Sequence, residues 1–331
     1  MDEGGGGEGM TRIRLPLVHC HGSGNDFPLI DARQLSLSVD DWVQVARALA
    51  DRAGPVGGDG LLLLRAGDAD SAFAMEMRNS DGSEAETCLN GLRCVARAGF
   101  ALLGIDRADV RLATSRAWVE RAEDLAAGVY GVRETAGPAS LDVATWPLRA
   151  GIGELVDRPL PPLGSARAFT AVAMPNPHLV AFVERVDEAE LAALGARCEA
   201  APDWLPNRAN VSFVEQRGPA ALFVRTFERG VGLTDSCGSA MAASTVAACL
   251  TGRTGWGARV SVFNRGGLVE ASVTDDFMVT IVGNATWEWQ GSVTVDLATA
   301  TAHDLVIERR FDAEVAAWSR LVANAPDDGT D

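Results

Sequence analysis

Two stretches of the chain predict helices that begin at a cysteine: Asp81-Gly-Ser-Glu-Ala-Glu-Thr-Cys88-Leu-Asn-Gly-Leu-Arg-Cys94 and Thr234-Asp-Ser-Cys237-Gly-Ser-Ala-Met241. In each stretch, acidic and small polar residues precede the cysteine, and small or apolar residues follow it. The N-terminus of a helix carries a partial positive charge and N–H groups that have no acceptor in their own helix. Because this environment favours a thiolate, we expect the pKa values of Cys88 and Cys237 to be lowered.

The elements around the two cysteines follow the same order in each half of the 331-residue chain: strands, a helix, strands and then the cysteine helix. This repetition predicts a duplication. Residues 1–10 are rich in glycine and predict a flexible leader. At the other end, the pattern predicts one or two strands from Trp287 and an amphipathic helix over Ile307–Ala323.

Composition excludes several classes of chemistry. The 29 basic residues are all arginine, so a pyridoxal phosphate Schiff base, a Schiff-base aldolase, a Ser–Lys pair and a P-loop lysine are absent. The formal net charge of −16 argues against binding to nucleic acid or to anionic membranes. The sequence has no run of about 18 apolar residues and no signal-peptide pattern. We therefore expect a cytoplasmic protein with reduced thiols.

The sequence predicts neither a metal site nor a cofactor. His19 and His21 would share one face of a strand, but no third ligand is evident near them. The six cysteines contain no C-x-x-C pair, which argues against a zinc ribbon or a thioredoxin-like motif. The Gly-x-Gly that follows His21 lacks the third glycine and the helix of a dinucleotide site.

If Cys88 and Cys237 face each other, they form a two-base site. A substrate carboxylate would bind the free N–H groups of both helix N-termini, with its α-carbon between the two sulfurs. One thiolate would remove the α-proton while the other thiol donates a proton to the opposite face, which inverts the stereocentre. The N–H groups would come from four residues: Leu89, Asn90, Gly238 and Ser239.

Each thiol also needs a neighbour with which it exchanges protons. His178, in a polar turn predicted over Met174–His178 and made rigid by two prolines, is one candidate. Glu228, nine residues before Cys237, is the other.

At these residues the chain resembles the diaminopimelate epimerase family, whose members need no pyridoxal phosphate. The matching pieces occur in the family's order over about residues 12–290. They are His21-Gly-Ser-Gly-Asn-Asp-Phe, Gly58-Asp-Gly-Leu-Leu, Asn79-Ser-Asp-Gly-Ser-Glu-Ala-Glu-Thr-Cys88-Leu-Asn-Gly-Leu-Arg-Cys, Asn176-Pro-His178, Asn207-Arg-Ala-Asn210-Val and Glu228-Arg-Gly-Val-Gly-Leu-Thr-Asp-Ser-Cys237-Gly-Ser.

The resemblance implies an α/β (α+β) fold of two pseudo-symmetric domains, each a β-barrel-like sheet around a central helix, with the site in the cleft. The halves would be 11–135, joined by the return of about 286–331, and 136–285. It implies an isomerase that converts L,L-diaminopimelate to meso-diaminopimelate for lysine and peptidoglycan synthesis. Cys88 and Cys237 would be the acid/base pair, supported by His178 and Glu228. The substrate would contact Asn25, Asn79, Asn176, Asn210 and Arg229, especially through its distal end.

Three positions depart from the family pattern, which usually has glycine there: Leu89, Pro175 and Ala240. We expect Leu89 to narrow the pocket and Pro175 to shift the turn that carries His178. Two alternatives therefore stay open. One is a racemase of another amino acid on the same fold, and the other is a thiol redox sensor or binding protein without catalysis. A homodimer is compatible with the sequence.

Overall fold

The structure is a computed structural model that describes residues 11–85, 88–151, 153–174 and 176–323. Over these ranges the chain is a mixed α/β protein with five α-helices and one large mixed sheet. The predicted leader at residues 1–10 and Pro175 lie outside the described residues.

The elements follow one another in this order. The first half contains β1 (Arg12–Gly22), β2 (Asn25–Asp31), α1 (Val39–Ala50), β3 (Gly60–Asp68), β4 (Ser71–Asn79), α2 (Leu89–Leu103), β5 (Arg107–Arg111), β6 (Arg116–Arg121) and β7 (Gly131–Ala136). The second half contains β8 (Arg158–Pro159), β9 (Ala168–Met174), β10 (Asn176–Val183), α3 (Glu188–Glu199), β11 (Asn210–Gln216), β12 (Ala221–Glu228), β13 (Gly232–Thr234), α4 (Gly238–Leu250), β14 (Val260–Asn264), β15 (Gly267–Val273) and β16 (Val279–Asn284). The tail adds β17 (Thr286–Asp296), β18 (Thr301–Arg310) and α5 (Asp312–Ala323).

The strands pair in the order β18–β17–β1–β2–β3–β4–β5–β6–β7–β16–β15–β14–β12–β11–β10–β9–β8, with β13 beside β12. The pairs β2–β3, β4–β5, β10–β11 and β12–β14 are parallel, and a helix connects the two strands of each pair. Parallel neighbours require such a crossover. The pairing pattern of β1–β7 therefore recurs in β9–β16, as the repeated order of elements in the sequence predicted. The two patterns join where β7 pairs with β16.

The two cysteine helices are the most buried helices of the fold. Helix α2 is buried on all sides from Leu89 to Phe100 and contacts β1–β7. Helix α4 is buried on all sides from Ala240 to Cys249 and contacts β9–β12 and β14–β16. A helix that is buried around its whole circumference must lie inside a core. Each helix therefore forms the centre of the strands that surround it.

Both helices begin at the cysteine, as predicted. Cys88 is the N-cap of α2, with φ −141° and ψ 101°, and Cys237 is the N-cap of α4, with φ −139° and ψ 105°. These are the extended angles typical of an N-cap. Helix α2 ends at Gly104, whose φ of +67° is the left-handed conformation that favours glycine at a helix C-terminus.

Two local predictions were wrong. The predicted tail helix begins only at Asp312, because Ile307–Arg310 belongs to β18 and pairs with β17. Ile307 is the one apolar residue of these four, so apolar spacing does not distinguish a strand from a helix there, and pairing with β17 decides between them. His178 lies within strand β10, opposite Val172 of β9 and Asn210 of β11, and not in a turn.

Candidate active site

The helices that carry Cys88 and Cys237 meet at their N-termini. A β-carbon placed on Gly238, the first residue of α4, would lie 2.9 Å from the β-carbon of Leu89, the first residue of α2. It would also lie 3.3 Å from Oδ1 of Asn90. Glycine at position 238 therefore allows the two helix starts to approach this closely.

Leu89 contributes to the core around α4, although it belongs to α2. Its side chain is 5% exposed and packs in the same apolar cluster as Cys237 and Met241. The expectation that Leu89 narrows a substrate pocket stays a prediction. What the packing does establish is that Leu89 helps to join the strands around α2 to those around α4.

Each thiol has polar neighbours at its helix start. The sulfur of Cys88 accepts a hydrogen bond from the N–H of Gly91 at 3.2 Å, and its S–H lies 3.8 Å from Oδ1 of Asn25. The sulfur of Cys237 lies 3.5 Å from the hydroxyl of Ser239. The carboxyl group of Glu228 lies beside Cys237, close enough for each group to shift the pKa of the other.

The predicted lowering of the thiol pKa values was wrong. Burial raises the pKa of Cys88 to about 12, against the lowering effect of the hydrogen bond from Gly91. Burial also raises the pKa of Cys237 well above its usual range, and the negative charge of Glu228 raises that pKa further. The sequence showed the helix N-termini but not the burial, and the loss of hydration outweighs the stabilisation of the thiolates. Both thiols are therefore protonated at neutral pH.

Glu228 can exchange a proton with Cys237. Burial raises the pKa of Glu228 to about 7, while the neighbouring side chain of Cys237 lowers this pKa. The carboxyl group therefore titrates near neutral pH, which is the range in which a general base works most efficiently. Of the two proton-exchange partners that the sequence suggested, Glu228 is the one that contacts a thiol in the structure.

His178 has a different environment from the one expected. Its Nε2 donates to Oδ1 of Asn176 at 3.0 Å, and its buried Nδ1 has no hydrogen-bond partner. Burial lowers the pKa of His178 to about 3, and the positive charge of Arg229 lowers it as well. The imidazole is therefore neutral, and neither of its nitrogens bonds to a thiol.

Three asparagines connect the regions around the two thiols. The side-chain amide of Asn90 donates to Ser236 Oγ at 2.9 Å and lies 3.5 Å from Oδ1 of Asn25. The amide of Asn176 donates to Ser239 Oγ at 3.2 Å. The structure thus brings Asn25, Asn90, Asn176, Gly238 and Ser239 together with Cys88 and Cys237.

The remaining predicted residues lie on other strands or directly after them: Asn210 begins β11, Arg229 follows β12 and Asn79 ends β4. Asn210 accepts a hydrogen bond from the N–H of Arg229 at 2.8 Å, and its buried Nδ2 has no partner. The guanidinium of Arg229 donates to the carbonyl of Asn207 at 3.1 Å. The side chain of Asn79 donates to Ser83 Oγ at 3.0 Å, in the turn after β4. These contacts do not by themselves connect Asn79 to the thiols.

Two charged residues near the site were missed. Asp59 accepts hydrogen bonds from Asn25 and from Arg52, and the latter bond is 2.7 Å long. Arg52 also forms two hydrogen bonds with Asp26, of 2.8 and 2.6 Å. The acidic side chain inside the glycine-rich turn Gly57-Gly58-Asp59-Gly60 was the sequence signal for Asp59. Arg52 gave no such signal, because it directly follows the C-cap of helix α1 and belongs to no motif.

The pair His19 and His21 has other contacts. The ring of His19 bonds to Glu288 Oε2 at 2.5 Å and to the carbonyl of Gly57 at 3.1 Å, and it stacks on Trp289. No group of three His, Cys, Asp or Glu side chains in the described part of the chain has an arrangement that could hold a metal ion. None of the helices within the described ranges combines the length and the apolar character needed to cross a membrane.

Solved structures define the class of this fold. The hydroxyproline epimerase from Agrobacterium vitis superposes with a TM-score of 0.62 at 13% identity, covering 96% of this chain and all of that one. Methylitaconate-delta-isomerase superposes with a TM-score of 0.60 at 13% identity, covering 90% of this chain and all of that one. A PhzF-family phenazine biosynthesis protein from Bacillus anthracis gives 0.61 at 14% identity, covering 85% and 99%. The fold is therefore that of the PhzF and proline racemase proteins.

Sequence comparison identifies the family within that class. The model of the family "Diaminopimelate epimerase" matches residues 17–120 and 170–288. The diaminopimelate epimerase of Clostridium acetobutylicum is 37% identical over 315 residues, covering 93% of this chain and 94% of that protein. The diaminopimelate epimerase of Enterococcus faecalis is 39% identical over 285 residues, covering 83% and 87%. The chain belongs to the diaminopimelate epimerase family, which confirms the resemblance seen in its motifs.

Proposed function

We propose that this chain interconverts L,L- and meso-diaminopimelate by a two-thiol acid/base mechanism. As a member of its family, the chain is an isomerase, a diaminopimelate epimerase. The observation that carries the mechanism is the meeting of two buried helices whose N-caps are Cys88 and Cys237. A site built from two such N-termini suits a carboxylate and two opposed proton carriers.

The substrate carboxylate binds between the helix starts. Their first-turn N–H groups have no acceptor in their own helix. The N–H group of Gly91 is already used by the sulfur of Cys88, whereas the sulfur of Cys237 caps no N–H of its helix. The carboxylate takes four of the remaining N–H groups: those of Leu89, Asn90, Gly238 and Ser239. Their alignment with two helix dipoles stabilises the negative charge that develops when the α-proton leaves.

Proton transfer starts from one deprotonated thiol. Glu228 takes the proton of Cys237, and the thiolate then removes the α-proton of the bound substrate. The carbanion accepts a proton from the thiol of Cys88 on its opposite face, so Cys88 ends as the thiolate and Cys237 as the thiol. The two roles are exchanged when the other stereoisomer reacts.

The distal end of the substrate binds the polar side chains around this site: Asn25, Asn79, Asn176, Asn210 and Arg229. Support comes from the buried amide nitrogen of Asn210, which lacks a partner and is available to an acceptor on a ligand. His178 acts through Asn176, whose amide oxygen it holds at 3.0 Å. A substrate with amino-acid groups at both ends uses the N–H groups of the two helix starts at one end and these polar side chains at the other.

We also propose that the fold consists of two pseudo-symmetric domains, each a barrel-like sheet around α2 or α4, with the site in the cleft between them. The halves are 11–135 with the return from about 286, and 136–285. The recurrence of the pairing pattern supports this division. We further propose that the chain works in the cytoplasm, where its thiols stay reduced. A homodimer stays a prediction, which light scattering of the purified chain tests.

The experiment that tests the function is exchange of the α-hydrogen in D₂O under reducing conditions without pyridoxal phosphate, followed by NMR. Diaminopimelate is compared with a panel of amino acids that have a single amino-acid end. We expect exchange with inversion of diaminopimelate alone. Exchange only of a single-ended amino acid would support the two-thiol mechanism but show that the substrate is not diaminopimelate. Exchange of none would contradict the proposal and favour a redox or binding role.

A further inference from the structure

Arg93 lies one turn inside helix α2 and is completely buried. Its guanidinium forms an ion pair of 2.6 Å with Glu134, which is also completely buried. A buried charge persists only when it is paired and hydrogen-bonded, and such a pair does not in general add stability over apolar packing. The ion pair therefore calls for a role other than stability.

The guanidinium of Arg93 also contacts four other groups. It donates to Asn90 Oδ1 at 2.7 Å, to Ser23 Oγ at 3.1 Å, to the carbonyl of Asn284 at 3.1 Å and to the carbonyl of Leu89 at 3.5 Å. Gly283 provides the space, because a β-carbon there would lie 2.5 Å from Nε of Arg93. A planar guanidinium can satisfy several acceptors in fixed directions, whereas a lysine ammonium cannot reproduce this geometry.

The contact with Asn90 reaches the second thiol. With its oxygen held by Arg93, the side-chain amide of Asn90 presents its nitrogen to Ser236 Oγ at 2.9 Å. Ser236 directly precedes Cys237, the N-cap of α4. A chain of hydrogen bonds thus leads from Glu134 through Arg93 and Asn90 to Ser236. All four residues are buried.

We propose that Arg93, held by Glu134, is a positioning residue that sets the separation and alignment of the two thiols through the bond from Asn90 to Ser236. This inference rests on the two-thiol function proposed above. Transfer of a proton to and from one carbon requires two sulfurs at a fixed separation, and a misplacement of about 1 Å can cost about 10²-fold in rate. The alternative is that Arg93 only attaches α2 to the surrounding strands.

The test is a double-mutant cycle of Arg93→Lys and Ser236→Ala, with kcat and KM for diaminopimelate and thermal unfolding measured for each variant. We expect each single substitution to lower kcat by about 10- to 100-fold, with a much smaller change in KM. We expect the double variant to be no slower than the slower single variant, because both changes break the same connection. Independent effects that multiply would overturn the proposal.

Arg97→Lys is the matched control. Arg97 lies one turn further along α2, is also buried and forms an ion pair of 2.6 Å with Glu314, but its hydrogen bonds lead to the tail helix and to Ala285. We expect this variant to lose stability and to keep kcat. If Arg93→Lys does not fold, Glu134→Gln replaces it in the cycle, because the amide fills the same space but removes the charge that holds Arg93.

A second measurement separates this proposal from the function itself. Diamide, which takes up two hydrogen atoms as two thiols form a disulfide, is added to each variant, and the rate of Cys88–Cys237 bridging is followed by mass spectrometry. We expect slower bridging in Arg93→Lys and Ser236→Ala, and wild-type rates in Arg97→Lys. Unchanged bridging in the first two variants would overturn the positioning role. An inactive wild-type enzyme would instead contradict the proposed function, whatever the bridging rates.

Discussion

Leu89 at the start of α2 lies directly against Gly238 at the start of α4, and a β-carbon on Gly238 would come within 2.9 Å of the β-carbon of Leu89. Such a separation is shorter than a carbon–carbon contact allows, and Leu89 is itself packed in the core around α4. The two helix starts therefore cannot tolerate a side chain at position 238 without moving apart. This contact makes the distance between the two thiols sensitive to a single methyl group.

Gly238→Ala is expected to lower kcat by about 10²-fold, because the added methyl group displaces the thiols from each other. Steady-state kinetics with diaminopimelate, together with a thermal melt, measure the effect. Gly153→Ala is the matched control, since a β-carbon at Gly153 meets no atom within 4 Å. The double variant Leu89→Gly/Gly238→Ala removes the clashing carbon and should recover part of kcat. Wild-type kcat in Gly238→Ala alone would show that the helices do not need this approach.

Cys88→Ala and Cys237→Ala are each expected to abolish turnover, with a loss of at least about 10²- to 10⁴-fold, because each removes one of two obligatory proton carriers. The α-hydrogen exchange assay measures turnover, and circular dichroism with melting measures the fold. Cys249→Ala is the control, since Cys249 lies at the other end of α4. Near-normal activity in either active-site variant would rule out the two-thiol mechanism.

Glu228→Gln is expected to remove a pH-dependent step in activity. The raised pKa of Glu228, about 7, means that its carboxylate forms and can accept the Cys237 proton only as pH rises through 7. In the direction in which Cys237 is the base, kcat/KM of the wild-type enzyme should rise through this range. The variant should be slower and lack the rise, with both stereoisomers assayed from pH 5.5 to about 8.5.

The same substitution should change the pH dependence of stability. An unfolded chain loses the Glu228 proton near the ordinary pKa of about 4.3, whereas the folded chain keeps it up to about 7. Between these values the folded state binds more protons, so this group's contribution to stability falls as pH rises. Glu228→Gln should therefore gain stability relative to wild type across that window, as measured by urea unfolding. If the free energies of unfolding of Glu228→Gln and wild type differed by the same amount at all pH values, the raised pKa of Glu228 would be contradicted.

Oxidation is expected to join Cys88 to Cys237 and to inactivate the enzyme reversibly, because the helices that carry them meet at their N-termini. Peptide mapping by mass spectrometry identifies the bridge, and a reducing agent should restore turnover. The neighbouring thiols are placed differently: Cys94 lies with Cys20 inside the core around α2, and Cys249 lies at the far end of α4. A bridge from either active-site cysteine to Cys94 or Cys249 would contradict the facing arrangement.

Local chemistry in the sequence was sufficient to predict the cysteine helices. Each helix start is set by residues that are neighbours in the chain, because N-capping depends only on the cap residue and the few residues next to it. The same holds for Gly104, which ends α2. The ordered motifs were sufficient to predict the family, and the repeated order of elements anticipated the repeated strand pairing.

The electrostatics of the site could not be predicted in this way. The sequence placed both thiols at helix N-termini, yet burial raises their pKa values, because hydration depends on residues from many distant strands. His178 was expected in a turn, but pairing with β9 and β11 draws it into a strand, where burial keeps it neutral.

The sequence by itself determined the candidate reacting groups, the family and the absence of any lysine for pyridoxal chemistry, because these follow from residue identity and from short motifs. Tertiary structure alone decided which of these groups touch. It placed Glu228 on Cys237, Leu89 against Gly238, and Arg93 on Asn90 and Glu134. Contacts of this kind join residues that lie far apart in the chain, and they exist only once the strands around α2 and α4 have closed and excluded water from the polar groups between them.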